Sequence, residues 1–261
     1  MPLDVIFLLA LIEYVLPFVF GLVIGSFLNV CIYRIPAGES IVYGASHCPH
    51  CMHKLRWYEL IPVGSYLLQK GRCRSCGAKI SPQYPLIELA GGMLWLVTFA
   101  ALGLSWKAAL YALLLCFLLV IAIIDARTME IPDGLSIVVA ALGVLALLLG
   151  DIPFYERLIG AIVVSVPLAV ISFATAHMGE NGGMGFGDVK LMAAAGLVLG
   201  WKAILLSAFL GILFAAITGI ALRIKKGTEM PLAPFLAIGI AIAALWSEPM
   251  IAWYLRLVVL N

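Results

Sequence analysis

The sequence contains few charged residues. Asp, Glu, Lys and Arg together make up 11% of the 261 residues, whereas 64% are hydrophobic and the mean hydropathy is +1.13. So little charge cannot cover the surface of a water-soluble domain, which excludes the common classes of soluble globular protein. The formal net charge of +2 is small and indicates nothing about nucleic acid. We expect no nucleic-acid partner. The composition therefore predicts a protein that lies in a lipid bilayer.

The chain also lacks the features of a removable signal peptide, of a repeat protein and of a low-complexity linker. Its first apolar stretch has neither the short hydrophobic core nor the small-residue cleavage site of a signal peptide. This stretch ends in the sequence GSFLNV at residues 25–30, which is polar enough to pack against protein. We therefore interpret the stretch as a helix of the mature protein.

Apolar runs long enough to cross a membrane recur along the rest of the chain. A helix needs about 20 apolar residues to span the hydrocarbon core of a bilayer. On this basis we predict an all-α polytopic membrane protein with about eight transmembrane helices. Their approximate ranges are 5–33, 86–104, 108–124, 135–150, 158–177, 189–200, 203–222 and 232–250.

The distribution of Lys and Arg predicts how these helices are oriented. In the eight-helix arrangement most basic residues fall on one side of the membrane, and the exceptions are Lys107, Arg157, Lys202 and Arg256. Because basic loops are retained in the cytosol, we expect both termini to face away from the cytosol. The segment 36–85 then lies in the cytosol, and we expect the basic side to contact anionic membrane lipid.

The segment 36–85 is a small polar insert that holds four of the six cysteines and three of the four histidines. Its cysteines form two Cys-x-x-Cys pairs with a spacing close to that of a zinc ribbon. Four thiolates bind zinc tetrahedrally, and the ion supplies about 10–16 kcal/mol of apparent folding free energy. Thiols stay reduced in the cytosol, which argues against disulfides. We therefore predict a structural zinc site whose ligands are Cys48, Cys51, Cys73 and Cys76.

Alternatives to this zinc site remain open at the level of sequence. The four cysteines also fit a redox dithiol or the empty remnant of a metal site. Neighbouring histidines are possible substitute ligands, although solvated loop histidines are commoner, and these are His47, His50 and His53.

Two aspartates stand at the edges of predicted helices. Asp125 follows the unbroken apolar run 110–124, and Asp188 opens a span that reaches Gly200. At 1.5 Å per residue that span covers about 20 Å, less than the roughly 30 Å of the hydrocarbon core. An acidic side chain at a helix centre costs about 2.5–3.5 kcal/mol, so acids at such positions are expected to have a function.

A pair of buried carboxylates fits the chemistry of peptide hydrolysis. Two carboxylates in a low-dielectric setting cannot easily both ionise, so one holds a proton while the other stays charged. Such a pair can activate a water molecule and protonate the leaving amine. Glycines at 182, 183, 185 and 187 would let a substrate strand approach closely, and Lys190 would stabilise nearby negative charge. The residues alone also fit a helix–helix hydrogen bond, a proton-coupled transporter or an assembly scaffold.

The residues around the two aspartates resemble those of a known family. Residues 185–191, GFGDVKL, are similar to the G-x-G-D-x-K-L motif of type IV prepilin peptidases, which are GxGD-type membrane aspartic peptidases. Asp125 followed by the sequence IPD at 131–133 resembles the first catalytic aspartate and the I-P-D element of that family. Further similar stretches are GSFLNV at 25–30, RIP at 34–36, Ser46 with CPxC at 48–51, IPxxSYL at 61–67, GRCRxC at 71–76 and YPxxE at 84–88.

The resemblance implies a bifunctional enzyme. Members of this family cleave the short basic leader of type IV prepilins and type II secretion pseudopilins after a glycine, then N-methylate the new amino terminus with S-adenosylmethionine. Carried over residue by residue, it makes Asp125 and Asp188 the catalytic pair, supported by Gly185, Gly187 and Lys190. The chain then divides into a first transmembrane helix at 1–35, a cytosolic tetra-cysteine domain at 36–85 and a transmembrane aspartic peptidase domain at 86–261.

Methyl transfer is harder to place on the sequence. The family associates the cytosolic domain with this activity, but the chain has no glycine fingerprint of the dinucleotide-binding type that would locate the cofactor. Leu60 stands where the family often has an asparagine before Ile-Pro, which puts the fine geometry of the methyl-transfer pocket in doubt. Three acidic residues are candidates for binding the leader, the substrate amine or the cofactor, although each also fits a solvated surface charge: Glu39, Glu59 and Glu88.

Overall fold

The computed structural model of the protein describes residues 4, 11–176, 185–222 and 230–259. These residues form helices, turns and two isolated β-bridges. A π-helical turn at Leu11–Val15 leads into the first α-helix, and short 3₁₀ turns lie at Trp57–Glu59 and Leu147–Leu149. The α-helices are α1 Leu16–Arg34, α2 Gly64–Leu68, α3 Gln83–Leu102, α4 Trp106–Thr128, α5 Asp133–Ala146, α6 Phe154–Val163, α7 Ser165–Ala176, α8 Phe186–Leu199, α9 Trp201–Ala221 and α10 Ala233–Val259.

Six helical segments among the described residues are long and apolar enough to cross a membrane. The chain is therefore a multi-pass membrane protein, as its composition predicts. The six segments are Leu11–Arg34, Gln83–Leu102, Trp106–Thr128, Phe154–Ala174, Trp201–Ala221 and Ala233–Leu257.

The other two predicted spans are helical but short. Helices α5 and α8 contain 14 residues each. At 1.5 Å per residue they reach about 21 Å, which is less than the roughly 30 Å of the hydrocarbon core. Six of the predicted crossings therefore correspond to helical segments long and apolar enough to span a membrane, while the crossing of α5 and α8 stays a prediction.

Some predicted features lie outside the described residues. They are the start of the first span, the end of the fifth span at residue 177, the glycines Gly182 and Gly183, and the basic residues Arg223, Lys225 and Lys226.

The chain divides into two compact units, Met1–Cys116 and Phe117–Asn261. In the first unit, α1 and α3 pack with their backbones in close contact. A Cβ on Gly21 would lie 2.5 Å from the carbonyl oxygen of Gly91, and one on Gly25 would lie 2.7 Å from the Cα of Glu88. Small residues permit this approach between membrane helices. Asn29 Nδ2 donates to the Tyr84 carbonyl at 3.1 Å, so the polar end of α1 does pack against protein.

In the second unit, a buried arginine binds the C-terminal end of α8. Arg157 has 0% of its surface exposed and donates to the carbonyls of Leu197, at 3.3 Å, and Val198. Asp151 balances its charge at 2.5 Å. The last carbonyls of a helix have no partner within the helix, and in lipid they need one from elsewhere in the protein. Arg157 therefore allows α8 to end after only 14 residues.

Candidate active site

Asp125 lies near the C-terminal end of α4, where it meets the start of another helix. Only 6% of its surface is exposed. The backbone N–H of Ala233, the first residue of α10, donates to Asp125 Oδ2 at 3.1 Å. The first N–H groups of a helix have no partner within it, and the helix dipole favours negative charge at this end. The start of α10 therefore holds the Asp125 carboxylate in a fixed orientation.

Asp188 occupies the first turn of α8 and is 8% exposed. Its backbone N–H donates to the Gly185 carbonyl at 3.2 Å, so the preceding glycine begins the helix. An acidic residue in the first turn is stabilised by the helix dipole. Each of the two aspartates therefore lies at the positive end of a helix, Asp188 in its own helix and Asp125 against α10.

The structure brings the two aspartates together within the second unit. Asp125 and Asp188 lie close enough for their carboxylates to interact electrostatically. Both are buried and come from positions 63 residues apart in the sequence. Two carboxylates buried close together can share one proton, which leaves one group able to accept a proton and the other able to donate one. This arrangement can activate a water molecule held between the two groups.

Lys190 has a partner that the sequence analysis did not assign. Its Nζ donates to Asp133 Oδ1 at 2.7 Å, and the side chains are 42% and 69% exposed respectively. The ion pair joins the first turn of α5, which follows Asp125 along the chain, to the first turn of α8, which contains Asp188. An exposed pair of this type contributes about 0–1 kcal/mol, so its effect is on position more than on stability.

The two predicted supporting glycines have different surroundings. A Cβ on Gly187 would lie 2.9 Å from the Cβ of Ile131, so this glycine lets α8 approach the IPD segment. Among the described residues, which resume at Gly185 after the gap 177–184, a Cβ on this glycine would meet nothing closer than Asp188 Oδ2 at 4.0 Å. Gly187 therefore serves helix packing, whereas Gly185 is not crowded by the described part of the chain.

Sequence reasoning missed the contribution of Ala233. Every residue except proline has a backbone N–H, so the residue type at position 233 does not reveal this role. The sequence analysis interprets residues 232–250 only as an apolar span. The available signal was the pair of prolines Pro231 and Pro234, because proline marks the first turn of a helix, where N–H groups are free.

The four predicted metal ligands form a cluster in the first unit. The sulfurs of Cys48, Cys51, Cys73 and Cys76 all lie within 4.8 Å of one another. Cys48 and Cys76 are 3.9 Å apart, and Cys51 and Cys73 are 4.0 Å apart. Tetrahedral zinc with bonds of about 2.3 Å places its sulfurs about 3.8 Å apart. The cluster therefore fits a metal ion of the zinc type.

Both halves of the cluster have the same backbone turn. Cys48 donates its N–H to the His53 carbonyl at 2.9 Å, and Cys73 donates to the Ala78 carbonyl at 2.8 Å. Each turn is closed by an isolated bridge, His47 with Lys54 and Arg72 with Lys79. In the first turn the N–H groups of Cys51 and His50 lower the pKa of the Cys48 thiol to about 7, while burial and the neighbouring thiols raise that of Cys51 to about 12. One thiol of the turn therefore ionises more readily than the other.

The three candidate glutamates all lie in the first unit, and two of them already bind the backbone. Glu59 accepts the Arg56 N–H at 3.0 Å, and His53 Nε2 lies 3.3 Å from the same oxygen. These contacts hold the pKa of Glu59 below its usual range, the Arg56 hydrogen bond most of all.

Glu88 has a different backbone partner. It accepts the Val63 N–H at 2.7 Å and so holds a valine whose φ is +58°, in the left-handed region. Glu39 is exposed, and its carboxylate has no partner among the described residues.

Comparison with known proteins finds relatives over most of the chain. The model of the bacterial peptidase A24 N-terminal domain matches residues 19–102, and that of the type IV leader peptidase family matches residues 112–220. A Bacillus subtilis (strain 168) protein named prepilin leader peptidase/N-methyltransferase is 35% identical over 245 residues, covering 92% of this chain and 97% of that protein. Proteins of the same name from Aeromonas salmonicida (strain A449) and Pseudomonas aeruginosa are 36% and 34% identical, covering 92% and 90% of this chain and 93% and 91% of their own. No solved structure matches the chain.

Proposed function

The chain belongs to the type IV leader peptidase family, and from this premise we propose that it is a membrane aspartic endopeptidase that removes the leader of type IV prepilins. It then N-methylates the new amino terminus, the second activity in the names of its relatives. The observation that carries the peptidase assignment is the buried pair Asp125 and Asp188, which interact electrostatically within the second unit.

The proposed topology has eight crossings, with α5 and α8 as the two short ones. Both termini face outward across the bacterial inner membrane, while the segment 36–85 and both aspartates face the cytosol. Supporting this, α5 is apolar and the C-terminal end of α8 is bound inside the protein by Arg157. The functional domains remain 1–35, 36–85 and 86–261, with the membrane domain as the peptidase.

Hydrolysis uses the two aspartates as an acid and a base. A water molecule between them attacks the carbonyl carbon of the scissile bond, and one carboxylate accepts its proton. The other aspartate protonates the amide nitrogen as the carbon–nitrogen bond breaks, which yields a carboxylate on the leader and a free amine on the pilin. The roles can exchange between the two residues because the proton belongs to the pair.

The surrounding residues hold this pair in position. The Ala233 N–H fixes one oxygen of Asp125, so its other oxygen is available to water. Gly185, which the described part of the chain does not crowd, admits the substrate backbone, and the close contact of Gly187 with Ile131 keeps α8 against the IPD segment. Lys190, through Asp133, ties the first turns of α5 and α8 together.

The substrate itself places its scissile bond near the membrane surface at which we propose that the two aspartates lie. A prepilin carries an apolar helix that lies in the membrane and a basic leader that remains in the cytosol, so the bond between them lies near the inner membrane surface. Type II secretion pseudopilins have the same arrangement and are proposed as further substrates. Anionic lipid headgroups attract the basic cytosolic side of the enzyme.

The segment 36–85 serves methyl transfer in this proposal. Zinc bound by Cys48, Cys51, Cys73 and Cys76 stabilises a polar segment that has no large core of its own. When bound, S-adenosylmethionine would supply the electrophilic methyl group that the free amine of the pilin accepts. The enzyme's part is to bind the donor and present the neutral amine.

Mass spectrometry of a prepilin incubated with the detergent-purified protein tests both activities. Without S-adenosylmethionine we expect a pilin shortened by its leader, and with it the same product carrying one additional methyl group. A prepilin that stays intact under both conditions would contradict the peptidase assignment. A shortened product that never gains a methyl group would contradict only the transferase assignment.

A further inference from the structure

An open cavity of about 540 Å³ lies in the first unit, between the end of α1 and the first cysteine turn. Its volume is in the range of sites for small molecules, about 300–1,000 Å³. Neither the aspartate pair nor the four metal ligands lines it. Among the residues that do are Arg34, Glu39, Tyr43, His47 and Lys54.

One wall of the cavity is held in place by Arg34. Its guanidinium donates to the carbonyls of Ser40 at 3.0 Å, Tyr43 at 2.9 Å and Gly44 at 3.1 Å. The hydroxyl of Ser40 accepts the Tyr43 N–H at 3.1 Å, and the Arg34 carbonyl accepts the Glu39 N–H at 2.9 Å. The loop is thus folded around a charged side chain, so a ligand would meet a wall that is already ordered.

The opposite wall belongs to the cysteine module. Lys54 and His47 form the isolated bridge that closes the first cysteine turn, and both line the cavity. Lys79 holds the same place in the second cysteine turn but does not line the cavity. A metal ion held by Cys48 and Cys51 would therefore also fix the backbone that carries Lys54.

The side chains left free around the cavity differ in chemistry. Glu39 and Lys54 are exposed, and neither side chain has a partner among the described residues. Tyr43 is 81% exposed, which leaves its ring available for stacking. The guanidinium of Arg34 keeps its positive charge, although its hydrogen bonds go to carbonyls. The cavity thus offers a cation, a carboxylate and an aromatic ring.

We propose that this cavity binds the methyl donor S-adenosylmethionine, with Lys54 pairing with its carboxylate, Glu39 with its ammonium group and Tyr43 with its adenine. The donor set fits because the ligand is an amino-acid zwitterion that carries an aromatic base and a sulfonium. Glu39 also favours the positive sulfonium over the neutral thioether product. The inference rests on the proposed function, since it supplies the donor for methyl transfer.

Equilibrium dialysis of radiolabelled S-adenosylmethionine against the purified full-length protein tests the site. We expect Lys54→Gln and Glu39→Gln each to weaken binding about tenfold, as loss of a hydrogen bond to a charged group does. Lys79→Gln, the matched change in the second cysteine turn, should bind within about twofold of the unchanged protein. Equal affinity in all of these proteins would overturn the assignment.

Ultraviolet crosslinking of the labelled donor to the unchanged protein gives a result that does not depend on a variant folding. We expect the label on peptides within residues 34–54, and label found only elsewhere would overturn the site. Leader cleavage without donor is measured on the same preparations. Cleavage with no donor binding would reject this inference and leave the peptidase assignment standing. Donor binding without cleavage would reject the peptidase assignment and leave this inference standing.

Discussion

The aspartate pair and the four-cysteine cluster both join side chains from separate parts of the sequence, but different interactions hold them. Asp125 and Asp188 are positioned by helix ends, which depend on packing throughout the second unit. The cysteines are positioned by two similar local turns that a metal ion can join. A membrane-embedded acid pair thus needs an extended helical frame, whereas a metal cluster needs only a short polar segment.

The largest expected effect comes from removing metal ligands. Cys48→Ser combined with Cys76→Ser should release zinc and remove about 10–16 kcal/mol of apparent folding free energy from the segment 36–85. Methyl transfer should be lost, while leader cleavage should fall much less because the aspartates lie in the other unit. Metal analysis with both activity assays measures this.

The control for this experiment is Ser75→Ala, which lies between Cys73 and Cys76 and leaves all four sulfurs in place. It should keep its zinc and both activities. Purified protein that contains no zinc, together with a double variant that keeps full methyl transfer, would remove the metal hypothesis.

The second prediction concerns Arg157, which binds the C-terminal end of α8. Arg157→Met leaves Asp151 and the last carbonyls of α8 without their partner, which should lower stability by about 3–5 kcal/mol. Thermal unfolding in detergent measures the loss, and leader cleavage should fall with it. Zinc content should stay unchanged, because the cysteine cluster belongs to the first unit.

Lys202→Met is the matched control for that change. Lys202 also pairs with an acid, Glu156, but at 3.7 Å and with 54% of its side chain exposed, so its removal should cost less than about 1 kcal/mol. Arg157→Met and Lys202→Met of equal stability would contradict the role given to Arg157.

The smallest effect concerns Glu59 and depends on pH. Its pKa is lower in the folded protein than the unfolded value of about 4.3, so its ionised form stabilises the segment 36–85. This stabilisation is present above about pH 4.3 and is lost as the pH falls through the folded pKa. Glu59→Gln should therefore destabilise the segment by about 1 kcal/mol at pH 7. The measurement is the temperature at which zinc is released. We expect it to be lower for Glu59→Gln than for the unchanged protein at pH 7, and the difference should shrink as the pH falls. A difference that grows toward acid pH would contradict this assignment.

Much of the helical architecture could be predicted from the sequence, because apolar runs leave a strong signal. Each of the eight predicted stretches contains helix where the structure describes it, although the fifth is interrupted at Val164, between α6 and α7. The short span after Asp188 was predicted as well, but the interaction that lets α8 end there was not. Arg157 satisfies the carbonyls at the end of α8, and nothing near residue 199 in the sequence announces this.

The candidate sites likewise contain features that could be predicted from the sequence and features that could not. The Cys-x-x-Cys spacing predicted a cluster that the structure contains, and the two aspartates were identified by position and motif. Backbone partners could not be predicted, and Ala233 beside Asp125 and Val63 beside Glu88 are the examples. The partner of Lys190 was also missed, because Asp133 lies 57 residues away in the sequence.

The most direct test of the aspartate pair compares three substitutions in one cleavage assay. Asp125→Asn and Asp188→Asn should each slow leader removal by about 10²- to 10⁴-fold or more, because each removes a proton acceptor or donor. Both variants should still bind prepilin and methylate a pilin whose leader is already removed. Glu130→Gln, at an exposed acid five residues after Asp125, should cleave normally. Near-normal cleavage by either aspartate variant would contradict the central claim that these two carboxylates carry out hydrolysis.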